Sequence, residues 1–398
     1  MFEGKNIVLG VTGSIAAYKA VELASKLTQA GIKVDVILTE SATKFVTPLS
    51  FQSITHRPVF TDMFAPVAEF EIEHVALAER AEAVVIAPAT ANTIAKLALG
   101  LADNLLTCVA LATKAPLIVA PAMDRGMYQN QTTQENLERL RARGYTIVGP
   151  EHGRLASGLE GPGRLAEVEE IMAAIYQVLG RKGDLAGKHL VISAGGTQEP
   201  IDSVRYISNY SSGKMGYALA EAARDRGAVV TLISAPTSLR PPSGVELVPV
   251  QTASQMRKAV LEKTEKADAL IMAAAVADYQ PRSMVKGKIK RERESLTLEL
   301  VKTPDILGEV PGNLVKVGFA AESEEMVENA KKKLKEKGLD LIVANDITSA
   351  DSGFGVDTNR VAIIDREGNV EQLPLMLKSE VAQRVLDKVA ALLAERAD

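Results

Sequence analysis

Residues 8–27, VLGVTGSIAAYKAVELASKL, read as a hydrophobic strand, a loop containing glycine and serine, and a helix. Ala17, Ala20, Val21, Ala24 and Leu27 recur at helical spacing, with Ser14 expected as the N-cap and Gly31 as the stop. A loop of this kind turns backbone N–H groups and a helix N-terminus toward a phosphate. Residues 208–227, SNYSSGKMGYALAEAARDRG, place a second such loop before a second amphipathic helix. Two phosphorylated ligands are therefore expected, in two domains, and one chain that runs two reactions.

Around the first loop, strands are expected at 6–11, 33–38, 83–87, 116–120 and 145–148, alternating with helices. That order predicts a parallel, doubly wound sheet. A last amphipathic helix then runs into a polar, glycine-containing linker at 180–187. From there the pattern begins again: a strand at 189–193, a helix at 215–226, strands at 229–234, 270–274, 316–319, 341–344 and 361–365, and a closing helix at 379–396. The expected fold class is α/β, with two doubly wound Rossmann-like domains, 1–183 and 184–398.

Composition fits this division, because 398 residues exceed what one core usually organises. Hydrophobic residues make up 46% and charged residues 24%, yet no apolar run approaches a membrane span of about 20 residues. No secretory pattern follows Met1, so a cytoplasmic location is expected. The single cysteine, Cys108, lies in the helical pattern DNLLTCVALAT and reads as a small buried hydrophobe, which leaves no disulfide and no cysteine–histidine metal site. A net charge of −4 argues against nucleic acid as a partner. Neither half carries G-x-G-x-x-G with an acidic residue about 20 positions on, so a nicotinamide dehydrogenase is disfavoured.

The motifs GSIAAYK (13–19), LTESA (38–42), EHVALAERAEAVVIAPATAN (73–92), GLADNLL (100–106) and PAMDRGMY (121–128) together resemble the flavin-dependent cysteine decarboxylases. The later motifs GGTQEPIDSVRYISNYSSGKMG (195–216), AAAVADY (273–279), KGKIKRE (286–292), VKTPDI (301–306), GFAAE (318–322) and LIVAND (341–346) resemble the phosphopantothenate–cysteine ligases. In this order, over nearly the whole chain, they resemble the bifunctional coenzyme A biosynthesis family.

In the first half, the resemblance implies FMN held by Gly13, Ser14, Thr39, Thr90, Asn92 and Met123, and His74 as the base. Decarboxylating the cysteine part of 4′-phosphopantothenoylcysteine needs an electron sink, which oxidation of the thiol to a thioaldehyde provides. His56, His152 and His189 lack any such context and read as structural. Two positions depart from the family. Where members commonly carry asparagine against the substrate carboxylate this chain has Asp124, and where better-known members carry an acidic cysteine it has Ser157. An ionised Asp124 about 4 Å from a carboxylate would cost roughly 1 to 4 kcal/mol, and a serine hydroxyl is a far weaker acid than a thiol. Two readings follow: Asp124, with its pKa raised by burial against the substrate carboxylate, replaces the thiol as acid, or water and groups beside the flavin suffice. A further alternative is an active ligase joined to a flavin-binding, oligomerising but decarboxylase-impaired first domain.

In the second half, the resemblance implies CTP as co-substrate and an acyl cytidylate that cysteine attacks. Asn209 would hold the acyl carbonyl and Lys288 would contact the nucleotide. Ala273, Ala274 and Ala275 would read the cytosine, and Asp278 would bind near the ribose or a Mg²⁺ or Mn²⁺ ion. Pro304, Asp305, Ile306, Leu307 and Phe319 would complete the pocket, with Lys333 and Lys337 on the triphosphate. The resemblance also implies trimers of the flavin half with the site at a subunit interface, dimers of the ligase half, and a dodecamer combining them.

Overall fold

A computed structural model describes residues 2–64, 73–290, 296–322, 326–346, 351, 353 and 355–396. The chain forms two compact units, Met1–Leu179 and Gly180–Asp398. Gly180 and Gly183 belong with the second unit because each lies against backbone there: a Cβ on Gly180 would meet Asp225 O at 1.8 Å, and one on Gly183 would meet Arg226 O at 2.3 Å.

The first unit is built on six parallel strands in the spatial order Val59–Phe60, Lys33–Leu38, Asn6–Val11, Ala83–Ala89, Leu117–Pro121, Thr146–Ile147. Their side chains alternate between two cores, as the pleat requires. Ile7, Leu9, Val11, Val34, Val36, Val85 and Ile118 pack on one face with the helices Ala17–Gln29 and Val168–Gly180. Val8, Ile37, Val84, Ile86 and Val119 pack on the other with Leu77, Ile94, Leu106 and Leu137. Each fully buried aliphatic side chain contributes about 1.5–3 kcal/mol, so these strands hold the sheet. The strand order reverses between Asn6–Val11 and Ala83–Ala89, the switch point where open α/β sheets bind ligands.

The first helix starts later than expected. Ser14 N donates to Thr12 O and Ala17 N to Ser14 O, an extra turn that makes Ala16 the N-cap; Ser14 Oγ accepts from Ala16 N at 3.3 Å, before the helix begins, and no side chain caps the helix itself. Ser14 is therefore not the cap. Gly31, at φ +77°, turns the chain after the helix.

The second unit repeats this order over six parallel strands: Glu246–Pro249, Val229–Ser234, His189–Ala194, Ala269–Met272, Val315–Glu322 and Leu341–Asp346. Two antiparallel strands, Val361–Asp365 and Val370–Gln372, extend its edge. Val361–Asp365 returns antiparallel to Leu341–Asp346, the pairing that needs no crossover helix. Among the described residues, four small two-stranded sheets were not expected from sequence, among them the hairpin Glu151–Arg154 with Glu160–Arg164.

Candidate active sites

In the first unit the functional side chains stand at the carboxyl edge of the parallel sheet. Thr12 Oγ1 donates to Pro88 O at 2.7 Å and accepts from Thr90 N at 3.0 Å, tying the two strands that flank the switch point. Thr90 caps the helix Ala91–Leu99, and Asn92 is exposed in its first turn. Thr39 follows the neighbouring strand, its amide bonded to Val11 O at 3.1 Å. Gly13 lies against the next loop, where a Cβ would meet Ser41 Cβ at 2.4 Å. Hydroxyls, an amide and an uncapped helix end thus converge on one edge, a donor set that fits a flavin phosphate and ring.

Beside this edge is a cavity of about 400 Å³ lined by Ser14, Lys19, Met123, Asp124, Arg154 and Ser157, with further wall from Tyr18 and Arg164. The hairpin Glu151–Arg154 with Glu160–Arg164 carries Ser157 at its tip, and Met123 N bonds Gly163 O at 2.9 Å to hold it there. Ser157 Oγ donates to Asp124 Oδ2 at 2.8 Å, and Gly126 N donates to Asp124 Oδ1 at 2.9 Å. These two bonds, the Gly126 amide first, hold the Asp124 carboxyl below the usual carboxylate range. In the free protein Asp124 caps the helix Arg125–Gln129 as an acceptor; the raised pKa expected against the substrate carboxylate belongs to the substrate complex. Lys19 Nζ meets Glu167 at 2.9 Å, and Arg164 pairs with the same carboxylate. Lys19, Arg154 and Arg164 were missed in the sequence, although Lys19 lies in the first turn of the loop's own helix.

His74 does not line this cavity. It is half-buried near the start of the helix Glu73–Arg80. Cys108 is likewise only half-buried, its thiol directed at Met63 Sδ and Ala102 O, both at 3.4 Å, and burial pushes the thiol pKa up.

The second unit carries two adjoining cavities at its own carboxyl edge. One, of about 570 Å³, is lined by Asn209, Ala273, Ala274, Ala275 and Lys333. The other, of about 550 Å³, is lined by Pro304, Asp305, Ile306, Leu307 and Lys337. Ala274, Val276, Asp278 and Phe319 belong to both walls. Asn209 Nδ2 donates to Val276 O at 3.1 Å, holding the loop before the helix Lys214–Asp225 across the cavity. That helix, like the first unit's Ala17–Gln29, has no side-chain cap; its N-cap is Gly213 at φ +78°. The alanine stretch is pinned by Ala274 N to Ser193 Oγ at 3.1 Å and Ala275 N to Gly195 O at 2.8 Å.

Lys333 and Lys337 line different, adjoining cavities, and Lys337 is bound to Asp305, which also accepts from Gly308 N at 3.3 Å. Lys288 is exposed and lines neither cavity. Its neighbour Ile289 is anchored, the amide on Asp202 Oδ2 at 3.1 Å and the carbonyl on Arg205 Nη2 at 2.8 Å. Among the described residues no group of three or more His, Cys, Asp or Glu side chains is placed to hold a metal, and no helix is long and apolar enough to cross a membrane.

Residues 1–180 match the flavoprotein family and residues 185–393 match the DNA/pantothenate metabolism flavoprotein C-terminal domain. The chain is 46% identical to the coenzyme A biosynthesis bifunctional protein CoaBC of Bacillus subtilis (strain 168), over 98% of each chain. The chain belongs to this bifunctional family. The protein of the same description from Escherichia coli (strain K12) is 43% identical over 97% of each chain. A solved C-terminal domain of such a CoaBC protein is 41% identical, covering 54% of this chain and 99% of its own, with a TM-score of 0.47. Membership of this family gives the two cavity-bearing units separate activities, a flavoprotein decarboxylase and a ligase.

Proposed function

We propose that the second unit joins cysteine to 4′-phosphopantothenate with CTP and that the first unit decarboxylates the product to 4′-phosphopantetheine. One observation carries this reading: each unit has a cavity at its sheet's carboxyl edge, beside a helix whose first turn no side chain caps. Such ends favour phosphate.

In the ligase cavity, Asn209 is held by Val276 O with its amide at the wall, where it donates to the acyl oxygen as charge develops. The pinned backbone of Ala273–Ala275 reads the base, and Lys333 meets the phosphates. Asp278 is one carboxylate, which suits a Mg²⁺ ion bound chiefly through the nucleotide's own phosphates. Lys288 reaches the nucleotide from the segment anchored by Asp202 and Arg205.

In the first unit, Gly13, Ser14, Thr39, Thr90, Asn92 and Met123 hold FMN. Bound there, FMN supplies the oxidation of the substrate thiol that lets carbon dioxide leave. His74 takes the proton, entering the reaction from a neighbouring subunit in a trimer with its site at the interface. Lys19 and Arg154 set positive charge beside Asp124, offsetting its repulsion of the substrate carboxylate. Location is read as cytoplasmic.

Incubation of the purified yellow protein with synthetic 4′-phosphopantothenoylcysteine tests the first unit. Carbon dioxide and 4′-phosphopantetheine are expected; carbon dioxide with an oxidised ene-thiol would place a defect at reduction, and no carbon dioxide would sink the reading. Amide product from CTP, 4′-phosphopantothenate and cysteine tests the second.

A further inference from the structure

Two lysines in the wall of the ligase cavity have no part in the chemistry above. Lys214 is the first residue of the helix Lys214–Asp225, and Lys378 the first of Lys378–Glu395. A cation there opposes the helix macrodipole. Lys378 is also only 6% exposed. Burial, followed by the nearby Lys214 charge, pulls its ammonium below the ordinary lysine range, while Asp357 pulls the other way. A hydrophobic residue would escape all of these penalties.

What the side chain touches explains its presence. Lys378 Nζ donates to Gly353 O at 2.9 Å and to Val356 O. Lys214 Nζ donates to Gly355 O at 2.7 Å and pairs with Asp357 Oδ1 at 2.8 Å. Two helices thus grip neighbouring carbonyls of one glycine-containing stretch through their first residues. Lys214, Lys378 and Gly353 line the same cavity of about 570 Å³ as Asn209 and Ala273–Ala275. The two lysines also form the wall between it and a smaller cavity of about 320 Å³.

We propose that Lys378 is a positioning residue of the ligase site, fixing the Gly353 and Val356 carbonyls and setting, with Lys214, a positive wall for a phosphate group of the ligand. An ammonium already held by two carbonyls does not reorganise when the anion arrives, so its field is present beforehand. The phosphate belongs either to CTP or to 4′-phosphopantothenate. This proposal rests on the ligase reading above.

The test is ligation by the full-length Lys378→Met variant, with CTP, 4′-phosphopantothenate and cysteine varied in turn. The KM of one phosphorylated substrate is expected to rise at least about tenfold, with the KM of cysteine and the decarboxylation rate within about twofold. The substrate affected identifies the phosphate. Equal changes in all three KM values, or none, beside an active wild type overturn the proposal alone. A wild type that forms no amide overturns the ligase reading, and this proposal with it. Should Lys378→Met fail to fold, judged by far-UV circular dichroism, Lys378→Gln keeps a donor for the carbonyls and is read by the same ratios.

Discussion

Ser157 and Asp124, 33 residues apart, are bonded to each other at 2.8 Å, hydroxyl to carboxylate. They are also the two positions read from the sequence as departures from the residues its resemblance implies, and the fold joins them in one local unit. The bond needs Asp124 as acceptor, which favours an ionised carboxylate over a proton donor. Asp124→Asn is therefore expected to keep decarboxylation and to lower the KM for 4′-phosphopantothenoylcysteine about fivefold, the equivalent of about 1 kcal/mol of repulsion removed. Steady-state carbon dioxide release checks this, and loss of product formation would restore Asp124 as the acid.

Ser157→Cys should speed the reductive step, because a thiol with a pKa near 8.5 donates a proton where a serine hydroxyl does so poorly. Less ene-thiol should accumulate relative to 4′-phosphopantetheine, as read by mass spectrometry of quenched reactions. An unchanged ratio would mean that the proton comes from elsewhere.

Asp225 gives a pH dependence of known sign. Burial pushes its carboxyl up to about 6, against the opposing Arg224 charge and the bond from Arg224 Nε at 2.8 Å. An unfolded aspartate titrates near 3.9, so the folded chain holds a proton between about pH 4 and 6 that the unfolded chain has released. Stability therefore falls as pH rises through that window, by up to about 3 kcal/mol for two units at about 1.36 each. Asp225→Asn should flatten this slope in urea unfolding followed from pH 4 to 7. A wild-type stability that rises across the window would contradict the assignment.

Gly13 is argued from space, since a Cβ there would meet Ser41 Cβ at 2.4 Å and Ser41 O at 3.2 Å. Gly13→Ala should push the two loops apart, costing about 1–3 kcal/mol and most of the bound flavin. Adding Ser41→Gly removes the nearer obstacle and should return part of the yellow absorbance. Full flavin content in the single variant would remove Gly13 from the binding edge.

The buried strands were legible because each is a hydrophobic run covered on both faces: 6–11, 33–38, 229–234 and 361–365 were read from sequence to the residue. The hairpin strand Glu160–Arg164, EGPGR, has no apolar alternation to betray it, and its position depends on Met123 and Gly163, distant in sequence. Ser14 resembled a cap by type, but the extra turn bonded to Thr12 O could not be read from composition. Asp124, Ser157, Asn209 and the alanine stretch were found through motifs, and the fold gathers them at sheet edges. The ion pair of Lys337 with Asp305 was not foreseen, because the two lie 32 positions apart. His74 and Lys288 lie outside the three site cavities described above, which motif reading has no means to reveal.

Asn209 offers the sharpest division between the two activities. Its Nδ2 donates to Val276 O at 3.1 Å, between the loop and the alanine stretch of the same cavity. Asn209→Asp preserves size but exchanges that donor for an oxygen, setting a carboxylate against a carbonyl and against the acyl oxygen it should stabilise. Loss of one preorganised donor at a developing oxyanion costs about 10²–10³ in rate. Ligation should fall by that factor, while decarboxylation of supplied 4′-phosphopantothenoylcysteine by the same preparation stays unchanged, because the change lies in the second unit. A parallel fall in both rates would point to general misfolding, and intact ligation would show that the acyl carbonyl is held by another donor.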